Sequence, residues 1–465
     1  MKLTPFAKIF ITAVILIVLG FVTWYWAGDS IKNWATGDKT ATKEDVKKED
    51  FDSLKNPIND PKFNDGSTGV TAQPIGTGKL TGRPLKVGIN TWAGHAPGIV
   101  FNGGLTPNAN SFYKKNFGMD VEFILLEDPA AKFTAFRSGQ IDIMWDTVDN
   151  WAREASILAE QNQQAKSIIM QDWSRGGDGI VALKTIKSIE DLKGKKVACT
   201  QFTPSHFLLL YLLSQSGLTP EDRNAIEKSI VFTQDASLAA AAFRSKNVDA
   251  AVTWEPDLSA AVEARGDEAH ILVSTSAATN VIADTLVARQ EVIDKYPETL
   301  RDFINGWFDG MAMMRDNPNP SNEIVAQALK LDAETVSGML SGLKLTPYAD
   351  NAQFYGLTGA KAHYETLFDT AFVIWRKKGL VNKTVSAKDW ADARFVSNLA
   401  SKYPGQKVEE KEVVAKAPSK TDVPILQQQI QIQFTPGSDE IMPGSYFLLD
   451  KLGELMTSFG GTVLR

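Results

Sequence analysis

The sequence predicts an α/β protein whose folded body consists of two similar lobes. Its 465 residues are enough for two to three domains. Strand and helix patterns alternate from residue 82 to residue 400, and one long segment of this region occurs twice. Hydrophobic residues make up 43% and charged residues 22% of the chain, a balance typical of a globular protein with a sizeable core. We therefore assign residues 82–400 to a single two-lobed body.

The first residues predict a membrane anchor. Lys2 and Lys8 precede a largely apolar, charge-free stretch at 9–27, which closes on the aromatic run 24–26. At about 1.5 Å per residue, this stretch is long enough to cross a ~30 Å hydrocarbon core. The lysines of the tail at 1–8 favour the cytoplasmic side, so the body is expected in the periplasm, on a single-pass inner-membrane helix. The alternative is a cleaved signal peptide, but the apolar run is long and no A-x-A-like pattern follows it.

Two polar stretches predict linkers on either side of the body. Residues 28–81 are rich in Lys, Asp, Thr, Gly and Pro and show little periodic hydrophobicity. Residues 401–425 have a similar composition and include a run of alternating Lys, Glu and Val. Both are expected to be solvated tethers.

An internal duplication is the most informative feature of the body. The segment 128–143 runs parallel to 235–250, and in both copies an Asp precedes Phe-Arg-Ser and then a hydrophobic–Asp–hydrophobic step. The first Asp of each copy is placed to cap a helix N-terminus. The helices are expected to end at Gly139 and Asn247, residue types that tolerate a left-handed backbone.

Short apolar strands surround each copy. Strands are predicted at 121–126 and 230–233, just ahead of the repeated helices, and further upstream at 85–89 and 196–200. Each half is therefore a β-α-β-α-β unit, which winds right-handed into a parallel sheet. Two such lobes enclose a cleft at the carboxyl ends of their strands, where α/β proteins bind ligands. The mostly helical region after Asp284 is expected to return to the first lobe, and the predicted lobes are 82–183 with 285–400 (lobe 1) and 184–284 (lobe 2).

Four segments resemble the periplasmic binding proteins of the nitrate, sulfonate and taurine ABC importers. They are 86–94, 138–142, 189–197 and 247–256, and the likeness covers roughly residues 83–400. The resemblance implies a type II two-lobed fold, a non-catalytic binding function, closure about a hinge and an ABC-transporter permease as partner. A pyrimidine-forming enzyme of the same superfamily carries a cysteine-rich motif that has no counterpart here, so an enzyme is not expected.

The tail at 426–465 resembles a different family. Residues 431–441 and 448–456 look like the opening strand and first helix of an OmpA-like, peptidoglycan-binding domain. The Asp and Arg with which that family contacts diaminopimelate lie further on, so we expect a truncated, partial α+β segment. Peptidoglycan would be a partner only through a full-length C-terminal domain.

The loops that follow strands are expected to present the ligand contacts. The duplication and the resemblance together place ten candidate residues in these loops. Asp128 and Asp235 are foremost helix caps and only secondarily ligand contacts. The eight remaining candidates are Trp92, Trp145, Asp146, Thr203, Ser205, His206, Trp254 and Glu255.

The candidates favour a charged organic ligand. Thr203 opens an apolar helix whose free backbone N–H groups can hold an anion. Trp254 with Glu255, and Trp145 with Asp146, each place an aromatic face beside a carboxylate, a combination suited to an ammonium or guanidinium group. In the alternative interpretation the helix start is ordinary, the tryptophans pack in the core and the acids cap the next helix. An amine, zwitterion or sulfonate is the expected class of ligand.

Composition excludes several other functions. A net charge of −6 gives no basic surface for nucleic acid. The single cysteine, Cys199, lies in an apolar run and is expected to be a buried core residue. The 4 histidines lack metal-ligand spacing, and no phosphate loop, nucleophile elbow or cofactor motif is present, so neither a metal nor a cofactor is expected. The alternative function is an envelope-anchoring or ligand-sensing protein built from a binding body and an OmpA-like domain.

Overall fold

The computed structural model describes residues 69–403 and 441–460, and also residues 54, 424, 426, 432–434 and 438. The predicted anchor at 9–27 lies outside the described residues, as do most of the two linkers. Within the part of the chain that is described, no helix is both long and apolar enough to cross a membrane.

The strands of the body form two sheets, one in each lobe. In chain order, they are β1 (Leu85–Ile89), β2 (Val121–Leu125), β3 (Ile143–Thr147), β4 (Ala165–Ser174), β5 (Asp178–Leu183), β6 (Val197–Thr200), β7 (Ile230–Thr233), β8 (Ala250–Trp254), β9 (Ala269–Ser274), β10 (Ala283–Arg289) and β11 (Leu343–Leu345).

Helices cover the faces of both sheets. Those that follow the repeated strands and their neighbours are α1 (Ala96–Asn102), α2 (Phe112–Phe117), α3 (Pro129–Arg137), α4 (Val148–Glu160), α5 (Pro204–Gln215), α6 (Pro220–Lys228), α7 (Ala236–Arg244) and α8 (Asp257–Arg265). Those of the later part of the chain are α9 (Gln290–Lys295), α10 (Pro297–Asp316), α11 (Pro318–Leu329), α12 (Ala333–Ser341), α13 (Tyr348–Phe354), α14 (His363–Lys377), α15 (Arg394–Ser397) and α16 (Pro443–Ser458).

The sheet topology confirms the duplicated β-α-β-α-β units. The first sheet has the order β11-β4-β10-β3-β1-β2 and the second β7-β6-β8-β5-β9. In each sheet the three repeated strands are parallel, with β1 between β2 and β3, and β6 between β7 and β8. The remaining strands join antiparallel. The body is therefore a two-lobed α/β structure, as predicted.

The chain crosses between the lobes at 175–177 and returns at 275–282. Strand β5 pairs with β8 and β9 in the second sheet. The predicted lobe boundary at 183–184 therefore needs correction, because β5 belongs to lobe 2. The hydrophobic pattern of a strand does not show which sheet the strand joins, because this depends on the strands with which it pairs.

The predicted helix caps are present in both copies of the repeat. Asp128 Oδ1 accepts hydrogen bonds from the backbone N–H of residues 130 and 131, and Asp235 Oδ1 accepts one from Leu238. At the other end, Gly139 has the expected left-handed backbone, with φ +78°. In the second copy Lys246, not Asn247, adopts it, with φ +62°, because Lys246 is the residue that aligns with Gly139.

The second Asp of the repeat forms the same hydrogen bond in both copies. Asp142 Oδ2 accepts a hydrogen bond from the Lys86 backbone N–H at 3.0 Å, and Asp249 does the same for Lys196 at 2.9 Å. Asp142 is 1% exposed and also pairs with Arg83 and Arg289. In lobe 1 the repeated Asp is therefore the centre of a buried ion network.

We expect Asp142→Asn to lower the free energy of unfolding by about 2 kcal/mol, because it leaves two arginines near a neutral amide, one of them partly solvated. Asp249→Asn, which touches only the backbone bond, is expected to cost about 1 kcal/mol. Urea unfolding monitored by circular dichroism measures both. Equal losses in the two variants would contradict an energetic role for the arginines.

The described part of the tail contacts lobe 2. An isolated bridge joins Phe434 to Ile441 ahead of α16. At the end of α16, the Asn280 side chain donates to the Thr457 carbonyl at 2.9 Å, and the ring of Phe459 stacks on Tyr211 with centroids 6.2 Å apart. Phe459 is 6% exposed. The end of α16 therefore packs beside the segment that returns from lobe 2 to lobe 1.

The single cysteine is buried, as expected. Cys199 is fully buried in β6 and forms no disulfide. Burial raises the pKa of its thiol, which keeps the thiol protonated and unreactive.

Candidate functional site

The two sheets come together where their parallel strands end. The register of the antiparallel strands brings three aspartates to this edge, namely Asp172, Asp178 and Asp284. Asp172 of β4 pairs with Asp284 of β10, and Asp178 of β5 pairs with Trp254 of β8. Trp92 follows β1 at the same edge. Residues of both lobes and of both crossing segments therefore line one cleft.

Trp92 belongs to lobe 1 and packs with residues of both lobes. Its indole Nε1–H donates to Asp172 Oδ2 at 3.3 Å, and the residue is 3% exposed. It belongs to one buried cluster with Ala236 and Trp254 of lobe 2. It also packs against Gly177 of the crossing segment, where a Cβ would lie 3.1 Å from indole Cζ3. Trp92 thus lies between the two lobes, beside the segment that crosses from lobe 1 to lobe 2.

Trp145 is held from both sides. Its Nε1–H donates to Asp284 Oδ1, and the ring of His95 packs edge-on against it, with centroids 5.8 Å apart. Lys132 Nζ lies 4.2 Å from the centroid of the indole and donates to the Trp145 carbonyl at 2.6 Å. The cation beside Trp145 is therefore supplied by the protein itself, and this lysine was not among the candidates.

The carboxylate of Asp146 is engaged with the start of α4. Oδ1 accepts from the Thr147 backbone N–H at 2.9 Å and from Asn150 Nδ2 at 3.0 Å, and lies 3.9 Å from Lys132 Nζ. Oδ2 has no hydrogen-bond partner among the described residues. This arrangement corresponds to the alternative in which Asp146 caps the next helix, and it leaves Oδ2 without a partner among the described residues.

The start of α5 carries the three candidates of the second lobe's first turn. Thr203 Oγ1 donates to the Thr200 carbonyl at 2.7 Å and so does not cap the helix with its side chain. Ser205 Oγ is buried and has no partner within the described part of the chain. The helix start therefore offers backbone N–H groups and one hydroxyl, and no side-chain cap occupies them.

His206 packs among aromatic rings. Its ring lies 5.0 Å from that of Phe232 and 5.3 Å from that of Trp375, and Nδ1 accepts from the Phe202 backbone N–H at 3.4 Å. Burial, helped by the positive charges of Arg153 and Lys378, lowers the pKa of His206 to about 4. The ring is therefore neutral at pH 7 and brings no charge to the cleft.

Trp254 and Glu255 have different surroundings. Trp254 is 9% exposed and packs in the cluster that contains Trp92. The Glu255 carboxylate accepts from the backbone N–H and the hydroxyl of Ser259, at 3.1 and 2.6 Å. Glu255 is thus tied to the first turn of α8, as the capping alternative describes, while Trp254 faces the other lobe.

One hydrogen bond crosses the cleft between the repeated helix starts. Asp128 uses Oδ1 for its own helix, and its Oδ2 accepts from Gln234 Nε2 at 3.0 Å. Gln234 precedes Asp235 in the second copy. It was not a candidate, because nothing in the sequence marks a glutamine next to a capping residue as a contact. The two copies therefore meet across the cleft.

Four buried carboxyl groups at the cleft were missed by the sequence analysis. Asp149, Asp172, Asp178 and Asp284 are at most 3% exposed. Burial, reinforced by the neighbouring Asp178, raises the pKa of Asp172 to about 8. Burial and the charge of Glu255 raise that of Asp178 to about 7, and the pKa values of Asp149 and Asp284 are raised well above their ordinary range, also chiefly by burial.

Within the described ranges, no group of three or more His, Cys, Asp and Glu side chains is arranged to hold a metal ion.

Comparison with known proteins gives consistent matches. Residues 109–307 match the protein family described as ABC transporter, phosphonate, periplasmic substrate-binding protein. The taurine-binding periplasmic protein of Escherichia coli is 25% identical over 258 residues, which are 53% of this chain and 76% of that protein. A putative binding protein of Brucella abortus is 29% identical over 162 residues, 33% of this chain and 47% of its own length. The chain thus spans about half the length of the Brucella relatives that it matches.

Solved structures with the same fold include two sulfonate-binding proteins. The periplasmic aliphatic sulphonate-binding protein of Escherichia coli has a TM-score of 0.52 and 19% identity, covering 68% of this chain and 100% of that one. The alkanesulfonate-binding protein of Xanthomonas axonopodis pv. citri, solved with MOPS, has a TM-score of 0.53, 16% identity and the same coverage. The body therefore has a periplasmic binding protein fold.

Proposed function

We propose that the protein is the solute-binding component of an ABC-type importer and captures a small polar organic ligand between its lobes. The observation that carries this proposal is the cleft itself: two similar lobes present the carboxyl ends of their strands to each other, and one buried cluster contains both Trp92 of lobe 1 and Trp254 of lobe 2. The family match and the relatives that bind taurine or sulfonates support the same class of function.

The mechanism is closure about the two crossing segments. Gly176 has φ +127°, a backbone conformation that side-chain-bearing residues rarely adopt, and Ser174 is hydrogen-bonded to Thr275 of the other crossing at 2.8 Å. A ligand that contacts both lobes stabilises the closed form by its differential affinity for it. An ABC-transporter permease that recognises this form is the proposed partner.

Small-angle scattering combined with calorimetry tests the function. The protein is titrated with taurine, an alkanesulfonate, an alkylphosphonate and simple amines. A ligand that binds is expected to reduce the radius of gyration. Binding without any compaction would contradict capture by closure.

The hydrogen bond across the cleft provides a sharper test. We expect Gln234→Ala to weaken ligand affinity about fivefold, because the bond between Gln234 and Asp128 is present only when the lobes are together and is worth about 1 kcal/mol. Gln163→Ala is the matched control, since Gln163 donates to the Arg137 carbonyl within lobe 1. Equal affinities of the two variants in calorimetry would show that the bond does not contribute to closure.

We also propose that the body is held at the periplasmic face of the inner membrane by residues 9–27, with residues 426–465 forming an OmpA-like segment. The support for both is the sequence pattern. Extraction of the full-length protein from membranes by alkaline carbonate would contradict the anchor, since a spanning helix resists that treatment. The envelope-anchoring alternative is tied to the same two segments.

A further inference from the structure

We propose that the cleft is built for a small organic cation that carries N–H donors, an amine or a guanidinium, held between Asp172, Asp178 and Asp284 with Trp92 and Trp254 as its walls. This inference rests on the proposed binding function and names the ligand class. It differs from the anionic sulfonates bound by the similar structures, so it is decided by this chain's own residues.

The carboxyl groups come from both sides of the cleft. Asp172 and Asp284 lie on neighbouring strands of the first sheet, close enough to share a hydrogen bond, which requires a proton on one of them. Asp178 begins the second sheet's β5, opposite Trp254. Asp149 lies in the first turn of α4 and is electrostatically coupled to Asp178 and Asp284. The acids therefore form one interacting group across the lobes.

Among the described residues, these acids lack the positively charged partners that buried carboxylates normally have. Asp172 Oδ1 and Asp178 Oδ1 are buried without a hydrogen-bond partner among the described residues. In the same part of the chain, no Lys or Arg forms a salt bridge with any of the four acids, whereas buried Asp309 pairs with Lys402 at 2.7 Å. An unpaired buried charge is strongly unfavourable, so a cationic ligand would supply the missing partner.

Side chains that are not acids point to the same ligand. Trp92 and Trp254 give the cleft an aromatic wall in each lobe, and such walls attract organic cations. Gln171 Oε1 is a further buried acceptor without a partner in the described structure. Gln171 uses its amide Nε2 on His95 Nδ1 at 2.9 Å, and His95 Nε2 is bonded to Asn90 Oδ1 at 2.8 Å. Gln171 Oε1 is therefore a buried acceptor that a ligand N–H group could satisfy.

Among the described residues, no positive side chain pairs with these acids. Lys132 is bonded to the Trp145 carbonyl, Arg153 lies over the Phe202 ring at 3.5 Å, and Arg175 donates to Asn280 at 2.8 Å, while Nε of Arg153 and Nε of Arg175 are buried without a hydrogen-bond partner. Burial lowers the pKa of His95 to about 3, so it is neutral. A sulfonate or phosphonate placed beside Asp172 would add a negative charge to an uncompensated acidic site. A quaternary ammonium would supply charge but no N–H for the unpaired oxygens.

Cation binding at this site is expected to release protons. The groups that face Asp172 and Asp178 are Asp149, Asp284 and Glu255, all acidic, and burial together with these neighbours favours the protonated form. Their pKa values near 7 and 8 leave part of the group protonated at neutral pH without ligand. A bound cation favours the ionised form, so its affinity should rise with pH over this range.

Calorimetry on the full chain tests the inference, with methylammonium, methylguanidinium, tetramethylammonium and propanesulfonate as probes. We expect the first two to bind, with several-fold higher affinity at pH 8 than at pH 6, and with a heat that depends on the buffer because protons are released. Tetramethylammonium should bind at least tenfold more weakly than methylammonium, because it offers no N–H group.

The Asp172→Asn variant distinguishes the loss of the binding site from a general loss of stability. It is expected to weaken methylguanidinium binding at least tenfold while raising the midpoint of thermal unfolding, because it removes a buried carboxyl group that has no cationic partner among the described residues. Asp309→Asn, remote from the cleft, should lower that midpoint and leave the affinity unchanged. Propanesulfonate binding with compaction and no effect of Asp172→Asn would overturn the inference and leave the proposed function standing. Failure of all four probes to bind at millimolar concentration would count against both.

Discussion

Trp92→Ala is expected to weaken ligand binding by about a hundredfold or more and to abolish ligand-induced compaction. Trp92 is the side chain that joins the parts of the cleft: it donates to Asp172, packs on Gly177 of the crossing segment and shares a buried cluster with Trp254. Its removal opens a large void between the lobes and leaves Asp172 without its indole donor. Calorimetry and small-angle scattering on the same samples measure both effects.

The same substitution is expected to lower the free energy of unfolding by about 3 to 5 kcal/mol, as for other buried tryptophans. Trp390→Ala is the matched control, because Trp390 is 5% exposed and packs against Trp151 in the core of lobe 1. It should lose comparable stability and retain ligand affinity. If both variants lose affinity equally, then the loss reflects general destabilisation and Trp92 has no special place in the cleft.

The free energy of unfolding is expected to fall as the pH rises from about 4 to about 8. In the folded protein the pKa of Asp172 is raised to about 8 and that of Asp178 to about 7, while in the unfolded chain an Asp titrates near its ordinary value, about 3.8. Between these values the folded state binds more protons than the unfolded state. Raising the pH therefore favours unfolding through this window, and the effect levels off above it.

Asp172→Asn is expected to reduce this pH dependence and to raise the free energy of unfolding at pH 8 by on the order of 3 kcal/mol. The neutral amide retains the size of the side chain and avoids the buried charge. Urea unfolding at a series of pH values measures the slope, and Asp142→Asn should shift stability in the opposite direction, because Asp142 is paired with two arginines. A lower stability of Asp172→Asn at pH 8 would show that the carboxylate has a compensating charge nearby.

The local features of the fold were predictable because they depend on neighbours in the chain. Asp128 and Asp235 cap their helices, and the repeated strands occur where short apolar runs follow turn residues. The left-handed residue at the end of the second repeated helix was placed one position too late, at Asn247 in place of Lys246. A residue's type gives only a preference for that conformation, whereas the alignment of the repeat places it.

The candidate site was predictable only in part. Trp92 follows β1 and Trp254 is the last residue of β8, so the parallel topology alone places both at the carboxyl ends of strands. Glu255 lies in the predicted loop, but its carboxylate is bonded to Ser259. The sequence Trp254-Glu255 is compatible with both a helix cap and a ligand contact, so it could not show which role the carboxylate has. The cation beside Trp145 is Lys132, thirteen positions away in the chain.

By itself, the sequence determined the two-lobed α/β class and the repeated strands with their helix caps, and it predicted Trp92 and Trp254 at the cleft. Only the tertiary structure decided the chemistry of that cleft. Asp172, Asp178 and Asp284 belong to the antiparallel strands next to the crossing segments, and nothing in their local pattern distinguishes them from surface acids. The register that sets Asp172 beside Asp284, and Asp178 beside Trp254, arises from pairing between distant strands, and burial in that arrangement is what gives the carboxyl groups their raised pKa values.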